Sequence, residues 1–248
     1  MYRVVIPARY GSTRLPGKVL IEVAGRTILE WVHARARASG AREVIIATDD
    51  ARVADAARGF GADVAMTSVS HPSGTDRIAE VARARNWSPE DLVVNVQGDE
   101  PLMPPTLIDQ VAELLASDKD ADIATLSAPL GAPAELTDPN VVKIVCDRAG
   151  HALYFSRAPI PWNRDAGHDA GPAHRHVGIY AYRVRSLRLM TELPPSPLET
   201  IEKLEQLRAL ENGLMIRVGQ AREQPGADIN TREDLERVER VLGASSRG

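Results

Sequence analysis

Short β-branched runs alternate with helical patterns through the first half of the chain, and this alternation constrains the fold more than any other feature. The candidate strands are 3–8, 43–48, 64–66, 92–96 and 123–128. Between them lie candidate helices near 27–39, 51–59, 76–85 and 105–117. Strands separated by helices of this length predict an α/β fold with a mainly parallel sheet and helices on both faces. Ligands of such sheets bind beyond the carboxyl ends of the strands.

The pattern changes after about residue 129. Further strands are predicted at 141–145, 152–155, 177–183 and 215–219, and a Gly-, Asp- and His-rich loop covers 163–174. A helix is predicted over 197–212, and a last helix begins with the capping box of Thr231 and Asp234. We therefore expect a single domain over 1–248 that carries a smaller mixed β excursion between about 129 and 212.

Composition excludes several classes of protein. The chain has 248 residues, of which 44% are hydrophobic and 26% charged, and its mean hydropathy is -0.21. These values disfavour a disordered chain or a membrane span. A net charge of -4 argues against a nucleic-acid surface. The single cysteine, Cys146, excludes an internal disulfide, and the N-terminal apolar run is too short for a signal peptide. We expect a soluble cytoplasmic protein that binds neither membranes nor nucleic acid.

The loop after the first predicted strand is rich in turn residues and concentrates cations. It reads PARYGSTRLPGK over 7–18 and carries Arg9, Arg14 and Lys18. Gly11 and Gly17 allow backbone amides to approach a ligand closely. Unpaired like charges repel one another, so an anion between them is favoured, and a triphosphate spreads its charge over enough oxygens to meet all three. The alternative is an ordinary solvated loop, which this density of cations at a strand end disfavours.

Two further segments point to the same edge of the sheet. The segment VNVQGDEP, over 94–101, leaves a buried-type strand and places Asp99 near the cationic loop. A carboxylate beside bound phosphates is a good Mg²⁺ ligand, although Gly-Asp is also common turn chemistry. The segment HPSGTDR, over 71–77, precedes a helix. It presents backbone groups to a base or a phosphate, or it is an ordinary N-cap.

These segments resemble the 3-deoxy-manno-octulosonate (Kdo) cytidylyltransferases, also called CMP-Kdo synthetases. The resemblance covers nearly the whole chain and extends to ALYFSRAPIPW (152–162), RHVGIYAYR (175–183), PSPLETIEKLEQLR (195–208) and TREDLERV (231–238). It implies a nucleotidyltransferase-like, Rossmann-like fold and a magnesium-dependent transfer of CMP from CTP to the anomeric hydroxyl of Kdo, with release of pyrophosphate. It also implies a homodimer that pairs through the lobe at about 129–212, which would bind the acceptor as well.

The resemblance implies roles for individual residues. The nucleotide-binding set is Ala8, Arg9, Gly11, Ser12, Arg14, Lys18, Ser73, Gly74 and Arg77, and the expected catalytic residues are Lys18, Arg14 and Asp99. The acceptor-binding set is Gln97, Arg157, His176, Tyr180, Glu205 and Gln206. The residues themselves give partial support, because His176 and Tyr180 are four apart on a predicted strand and so share a face. Two polar rings on one face indicate a lined cavity or, for an isolated pair, a satisfied core pair.

One position departs from the family pattern. The family usually has an Asp before TxEDL, where this chain has Asn230, and that Asp is thought to complete the metal site. An amide oxygen can ligate Mg²⁺ but carries no charge. Asp228 lies two residues earlier, on the same face of an extended segment, and we expect it to take over this role with Asn230 assisting. The expected metal ligands are therefore Asp99, Asp228 and Asn230.

Three functions follow from these observations. The first is transfer of CMP to Kdo, because the acceptor-side segments match as well as the nucleotide-side ones. The second is a cytidylyltransferase that activates another small acid, such as a phosphonate (phosphonoformate) or sialic acid. The third is a non-catalytic CTP-binding module that releases no pyrophosphate, and the presence of Lys18 and Asp99 argues against it.

Overall fold

The computed structural model describes residues 1–11, 15–165, 173–226, 228–229 and 231–245. The strands are β1 (Tyr2–Pro7), β2 (Glu22–Val23), β3 (Arg26–Thr27), β4 (Glu43–Thr48), β5 (Asp63–Met66), β6 (Leu92–Asn95), β7 (Ile123–Pro129), β8 (Lys143–Cys146), β9 (Ala152–Ser156), β10 (His174–Arg183) and β11 (Ile216–Gln220). The helices are α1 (Ile28–Arg37), α2 (Ala51–Gly59), α3 (Gly74–Ala84), α4 (Pro105–Ser117), α5 (Val184–Glu192), α6 (Pro197–Glu202), α7 (Gln206–Glu211) and α8 (Arg232–Ser245).

The main sheet is mostly parallel, as predicted. Its strands lie in the order β11-β7-β10-β6-β1-β4-β5, with β8 beside β10 and β9 beside β8. β10 is antiparallel to β6, β7 and β8, and β9 is antiparallel to β8, so among the described strands of this sheet these two alone oppose the common direction. Both lie within 129–212, where the mixed β excursion is expected. Its role as a dimerisation lobe stays a prediction.

Helices cover both faces of the sheet, which confirms the predicted layering. In β1, Val4 and Ile6 belong to one hydrophobic core, which they share with residues of α1, α2, α4 and α8. Val5 points to the opposite face and joins a second core with residues of α3, α5 and α7. This division follows from the two-residue period of a strand, whose successive side chains point to opposite faces. No described helix is both long enough and apolar enough to span a membrane.

The predicted helix over 197–212 is wrong in one respect, because the structure divides it into α6 and α7. Lys203 adopts a left-handed backbone conformation, with φ 54°. The turn buries Leu204, which is 7% exposed, in the core beneath α7. A left-handed residue is most often glycine, and Lys203 gives no such signal in the sequence.

The sequence prediction also misses α5, β2 and β3. The helix α5 follows β10 directly, and Val184, Leu187 and Met190 give it a buried face with helical spacing. The two-residue strands β2 and β3 form a small antiparallel hairpin before α1. β2 and β3 are only two residues long, and α5 follows β10 with no Gly, Pro or Asn between them, so the pattern of the sequence does not separate these elements from their neighbours.

Candidate active site

The loops that follow β1 and β6 meet at one end of the sheet, as predicted. The two strands are parallel neighbours, with Val5 opposite Asn95. Beyond the strands the loops approach so closely that a Cβ atom added to Gly98 would lie 3.0 Å from the Pro7 carbonyl oxygen. We call the surface formed by residues 7–11, 15–18 and 97–100 the carboxyl edge.

Lys18 joins three separate segments at the carboxyl edge. Its ammonium donates a hydrogen bond of 2.5 Å to Asp99 Oδ2 and one of 2.6 Å to the carbonyl oxygen of Ile229. The amide of Ile229 in turn donates to the carbonyl oxygen of Asp99. Lys18 is 9% exposed and Ile229 is fully buried, whereas 28% of the Asp99 side chain is exposed. The first loop, the GDEP loop and the segment before α8 are thereby brought together.

Acidic groups converge beside this lysine. The Oε2 atom of Glu100 is buried and has no hydrogen-bond partner among the described residues. Burial raises the pKa of Glu100 well above its usual range, and the negative charges of Asp99 and Asp228 raise it further. Sequence reasoning did not single out Glu100, although it stands next to Asp99 in GDEP. Among the described residues, no group of three or more His, Cys, Asp or Glu side chains is arranged to hold a metal ion. Asn230 lies outside those residues.

The cationic loop leaves one guanidinium nitrogen unpaired. Arg9 Nη2 is buried and has no hydrogen-bond partner among the described residues, as expected of a cation that meets an anionic ligand. Gly17 has φ 68°, and a Cβ there would lie 3.1 Å from the Tyr10 ring. Ala8 is buried, and Gly11 is exposed with open space around it. Two further predicted residues, Ser12 and Arg14, lie outside the described residues.

The segment 71–77 forms the start of α3, two residues earlier than predicted. Ser73 is the N-cap, and its hydroxyl accepts from the amide of Asp76 and donates to the carboxylate of Asp76 at 2.6 Å. Arg77 is fully buried and donates to Thr67 and, at 2.9 Å, to Asp49. These bonds hold the loop before α3, whereas Nε of Arg77 is buried and has no hydrogen-bond partner among the described residues. Direct contact between Arg77 and a nucleotide stays a prediction.

A cavity between β6, β10, α3 and α7 brings both predicted sets together. We call it the aromatic cavity; it is lined by Gly74, Thr75, Asn95, Gln97, Ile123, Tyr180, Tyr182, Met190, Glu205 and Gln206. Gly74 belongs to the predicted nucleotide set, and four of the others belong to the acceptor set. Sequence reasoning missed Thr75, Asn95 and Tyr182, which only the fold places here.

The polar side chains at the aromatic cavity are uncharged, apart from Glu205, whose raised pKa favours its neutral form. Burial raises the pKa of Glu205, although a hydrogen bond with Thr75 opposes the shift. Burial also raises the pKa values of Tyr180 and Tyr182 above their usual range. Asn95 Oδ1 is buried and has no hydrogen-bond partner among the described residues. An unpaired acceptor in such a place favours a ligand that donates hydrogen bonds.

His176 and Tyr180 lie on one face, as predicted, but a β-bulge brings them into contact. In a regular strand, residues four apart are separated by about 13 Å. Here the pairing of β10 with β7 shifts between Val177 and Tyr180, and the His176 and Tyr180 ring centroids are 5.2 Å apart. Burial lowers the pKa of His176 to about 3, so its ring is neutral.

Arg157 lies outside the lining of the aromatic cavity and supports α6 instead. Its Nε donates to the carbonyl oxygen of Glu202 at 2.7 Å, and its Nη1 donates to that of Pro139 at 2.7 Å. Its amide donates to the Glu202 carboxylate, which also accepts a hydrogen bond from Ser156. No described residue accepts a hydrogen bond from Nη2, so the role of Arg157 in binding the acceptor stays a prediction.

Comparison with known proteins identifies the family. The family model described as cytidylyltransferase matches residues 3–218. A protein of Thioalkalivibrio sulfidiphilus (strain HL-EbGR7) named 3-deoxy-manno-octulosonate cytidylyltransferase is 52% identical, over 98% of this chain and 99% of that protein. A protein of the same name from Halorhodospira halophila (strain DSM 244 / SL1) is also 52% identical, over 97% of this chain and 96% of that protein.

Solved structures give the same result. The structure of a CMP:2-keto-3-deoxy-manno-octonic acid synthetase complexed with CTP has a TM-score of 0.92 and 39% identity, and the match covers 98% of this chain and 99% of that one. A cytidylyltransferase from Leptospira borgpetersenii serovar Hardjo-bovis (strain JB197) has a TM-score of 0.66 and 18% identity, over 98% and 87% of the two chains, which is a likeness of fold alone. The chain therefore belongs to the cytidylyltransferase family, in the group of the 3-deoxy-manno-octulosonate cytidylyltransferases.

Proposed function

We propose that this protein transfers CMP from CTP to the anomeric hydroxyl of Kdo and releases pyrophosphate. The observation that carries the proposal is the aromatic cavity, which joins Gly74, from the predicted nucleotide set, to Gln97, Tyr180, Glu205 and Gln206, from the predicted acceptor set. A transferase needs both substrates in contact, and a cavity shared by the two sets meets that requirement.

The carboxyl edge is the proposed site of the triphosphate. Arg9 offers an unpaired guanidinium nitrogen there, and the Lys18 ammonium pairs with Asp99. With CTP bound, we expect Lys18 to divide its hydrogen bonds between Asp99 and a phosphate oxygen. Arg14 and Ser12 are proposed as further phosphate contacts on the strength of their place in the loop.

The donor set at this edge fits a hard divalent cation, and we propose Mg²⁺. Asp99 and Asp228 both raise the pKa of Glu100, so their charges converge on one region. Oxygen ligands of this kind suit Mg²⁺, which usually completes its coordination with waters and substrate phosphates. Asp99 and Asp228 would hold the ion, with Asn230 as a neutral ligand. When bound, such an ion neutralises charge on the phosphate oxygens and on the leaving pyrophosphate.

The reaction itself demands positioning more than acid–base chemistry. The anomeric oxygen forms a bond to the α-phosphorus while the bond from that phosphorus to the bridging oxygen of pyrophosphate breaks, and the hydroxyl proton is released. Transfers of this type depend chiefly on alignment and on charge neutralisation at phosphate oxygens. Lys18 and Arg14 would supply positive charge, while Gln97 and Tyr180 would orient the acceptor.

The lining of the aromatic cavity favours a sugar acid over a phosphonate. Its polar groups are amides, hydroxyls and the shifted carboxyl of Glu205, and no Lys or Arg is among the described lining residues. Amides and hydroxyls suit the many hydroxyl groups of Kdo, whereas a phosphonate with two or more charges requires cations. Arg157 Nη2 is the proposed partner of the single Kdo carboxylate.

Pyrophosphate release tests this proposal. Purified protein is incubated with CTP and Mg²⁺ and with Kdo, sialic acid or phosphonoformate in separate reactions. Turnover with Kdo and little with the other two is expected. Turnover with only one of the other acids would support cytidylyl transfer but would show that Kdo is not the acceptor. CTP binding without pyrophosphate release from any of them would indicate the non-catalytic module.

We also propose a cytoplasmic homodimer that pairs through the 129–212 lobe. The strand β9 lies at an end of the sheet and exposes Leu153 by 62% of its surface, and Ile201 on α6 is 78% exposed. Exposed apolar side chains at a sheet edge are typical of a contact surface. Light scattering should give twice the chain mass of 26.9 kDa. We expect Leu153→Lys to lower that value, and a wild-type mass equal to one chain would contradict the dimer.

A further inference from the structure

Thr125 occupies the point where the β-bulge of β10 meets β7. It is fully buried, and its Oγ1 atom has three close polar neighbours. The Nε2 atom of His176 is 2.9 Å away, the carbonyl oxygen of Ile179 is 2.8 Å away, and the carbonyl oxygen of Val177 is 3.2 Å away. The bulge turns both carbonyl groups toward the same hydroxyl.

The protons in this cluster can be assigned by counting donors. A threonine hydroxyl has one hydrogen, and a carbonyl oxygen can only accept. Two carbonyl oxygens at these distances require that the hydroxyl hydrogen point toward them, with the shorter contact to Ile179. The lone pairs of Oγ1 then face His176, so Nε2 of that ring must carry a hydrogen and donate it.

The assignment determines the state of the other ring nitrogen. A neutral imidazole that is protonated on Nε2 has an unprotonated Nδ1, which can only accept a hydrogen bond. No described residue donates to Nδ1 of His176. The ring is held in place by an edge contact with Phe155, at 5.2 Å between centroids, and by Tyr180, which lines the aromatic cavity.

We propose that Thr125 is a positioning residue that fixes His176 as the Nε2–H tautomer, so that Nδ1 accepts a hydrogen bond from a hydroxyl group of the acceptor. The role of the acceptor in this statement rests on the proposed function, whereas the tautomer does not. In the opposite tautomer Nδ1 carries a hydrogen and can only donate. The substrate hydroxyl could then not donate a hydrogen bond to Nδ1.

Nitrogen NMR of the unliganded protein tests the tautomer directly. Histidine labelled with ¹⁵N is incorporated, and the His176 signals are assigned as those that vanish in His176→Gln. We expect a protonated Nε2 and an unprotonated Nδ1 in the wild type. Thr125→Val keeps the shape of the side chain and removes the hydroxyl, so its His176 signals should shift toward a mixture of tautomers. Thr125→Ser keeps the hydroxyl and should restore the wild-type signals.

Steady-state kinetics tests the consequence. Thr125→Val should raise KM for Kdo about tenfold, as expected for a misplaced neutral hydrogen bond, while KM for CTP stays within about twofold. Thr125→Ser should resemble the wild type in both constants and in its melting temperature, which separates positioning from loss of folding.

Three results would overturn the proposal. The first is a wild-type protein with the proton on Nδ1. The second is a Thr125→Val variant that folds and keeps the wild-type tautomer. The third is a shifted tautomer with an unchanged KM for the acceptor, which would remove the link to acceptor binding. If the wild type uses a different acid from Kdo, the proposed function fails, and the same kinetics is run with the acid that it does use.

Discussion

The carboxyl edge and the aromatic cavity are neighbours, yet they are organised in different ways. At the carboxyl edge, charged groups from distant segments meet directly, as Lys18 does with Asp99 and with the carbonyl oxygen of Ile229. At the aromatic cavity, buried rings and hydroxyls, among them Tyr180, Tyr182 and Thr75, form a lining without cations among the described residues. Charge suits a triphosphate, and neutral donors and acceptors suit a polyhydroxylated acid.

A sequence pattern locates the carboxyl edge better than it locates the aromatic cavity. Each loop of the carboxyl edge follows directly from a regular strand, so the strand places it. The aromatic cavity depends on two irregularities instead, the bulge in β10 and the left-handed Lys203 between α6 and α7. A substitution at the carboxyl edge should therefore lower the rate of the reaction before it lowers stability. A substitution near the bulge in β10 or near Lys203 should instead change stability or acceptor binding.

The largest effect is expected from removing the central ion pair of the edge. Lys18→Ala and Asp99→Ala should each lower kcat/KM about a thousandfold while the protein stays folded, because preorganised charges of this kind contribute strongly to the transition state. Pyrophosphate release and circular dichroism measure the two outcomes. Lys119→Ala removes an exposed lysine and serves as the control. Folded variants with unchanged turnover would remove Lys18 and Asp99 from the site.

The greatest loss of stability is expected at Lys143, on β8. Its side chain is fully buried, and its ammonium donates to the carbonyl oxygens of Asp138, Val141 and Arg157 at 2.6–2.8 Å. Lys143→Met should destabilise the protein by about 3 kcal/mol, because three buried carbonyl oxygens lose their donor. Urea denaturation measures the loss. A change no larger than that of Lys119→Met would show that the buried ammonium contributes nothing.

Gly98 tests how closely the two loops of the edge must approach. A Cβ at this position would lie 3.0 Å from the backbone oxygen of Pro7, so Gly98→Ala should push the loops apart. We expect kcat/KM for CTP to fall about tenfold to a hundredfold, with a small change in melting temperature. Gly59→Ala is the matched control, since its Cβ would meet no atom within 4 Å. Equal activity in the two variants would contradict a tight edge.

The smallest effect is expected at the helix break. Lys203 has φ 54°, a conformation that is strained for any residue with a Cβ. Lys203→Gly should therefore be more stable than Lys203→Ala by about 0.5 kcal/mol, after the greater chain entropy of glycine in the unfolded state is included. Denaturant midpoints of the two variants give the comparison. A less stable glycine variant would show that the left-handed turn is not a source of strain.

Particular residues show how far the sequence leads. The segments 43–48, 51–59 and 105–117 are predicted with the bounds of β4, α2 and α4, because their patterns are long and their ends carry turn signals. The meeting of Lys18 with Asp99 follows from the parallel order of β1 and β6. In contrast, Thr125 and Asn95 are ordinary strand residues in the sequence. Their importance depends on pairing with β10, which is a long-range contact that no local pattern encodes.

Arg77 and Arg157 show that an arginine in a recognised motif can serve the fold as well as a ligand. Both stand in segments that resemble known motifs, and each directs two of its three guanidinium nitrogens to other groups of the protein. Arg77 bonds Asp49 and Thr67, and Arg157 bonds the carbonyl oxygens of Glu202 and Pro139. A chain with 30 Lys and Arg residues uses many of them for internal support, so a motif alone does not distinguish a ligand contact from a structural bond.

A competition experiment determines whether one site of this protein joins CTP to Kdo. The protein is given CTP and Mg²⁺ with Kdo, sialic acid and phosphonoformate together at equal concentration, and the nucleotide products are identified by mass spectrometry. CMP-Kdo should be the dominant product, formed in the same amount as pyrophosphate. A dominant CMP ester of either other acid, or no CMP product despite bound CTP, would contradict the assignment.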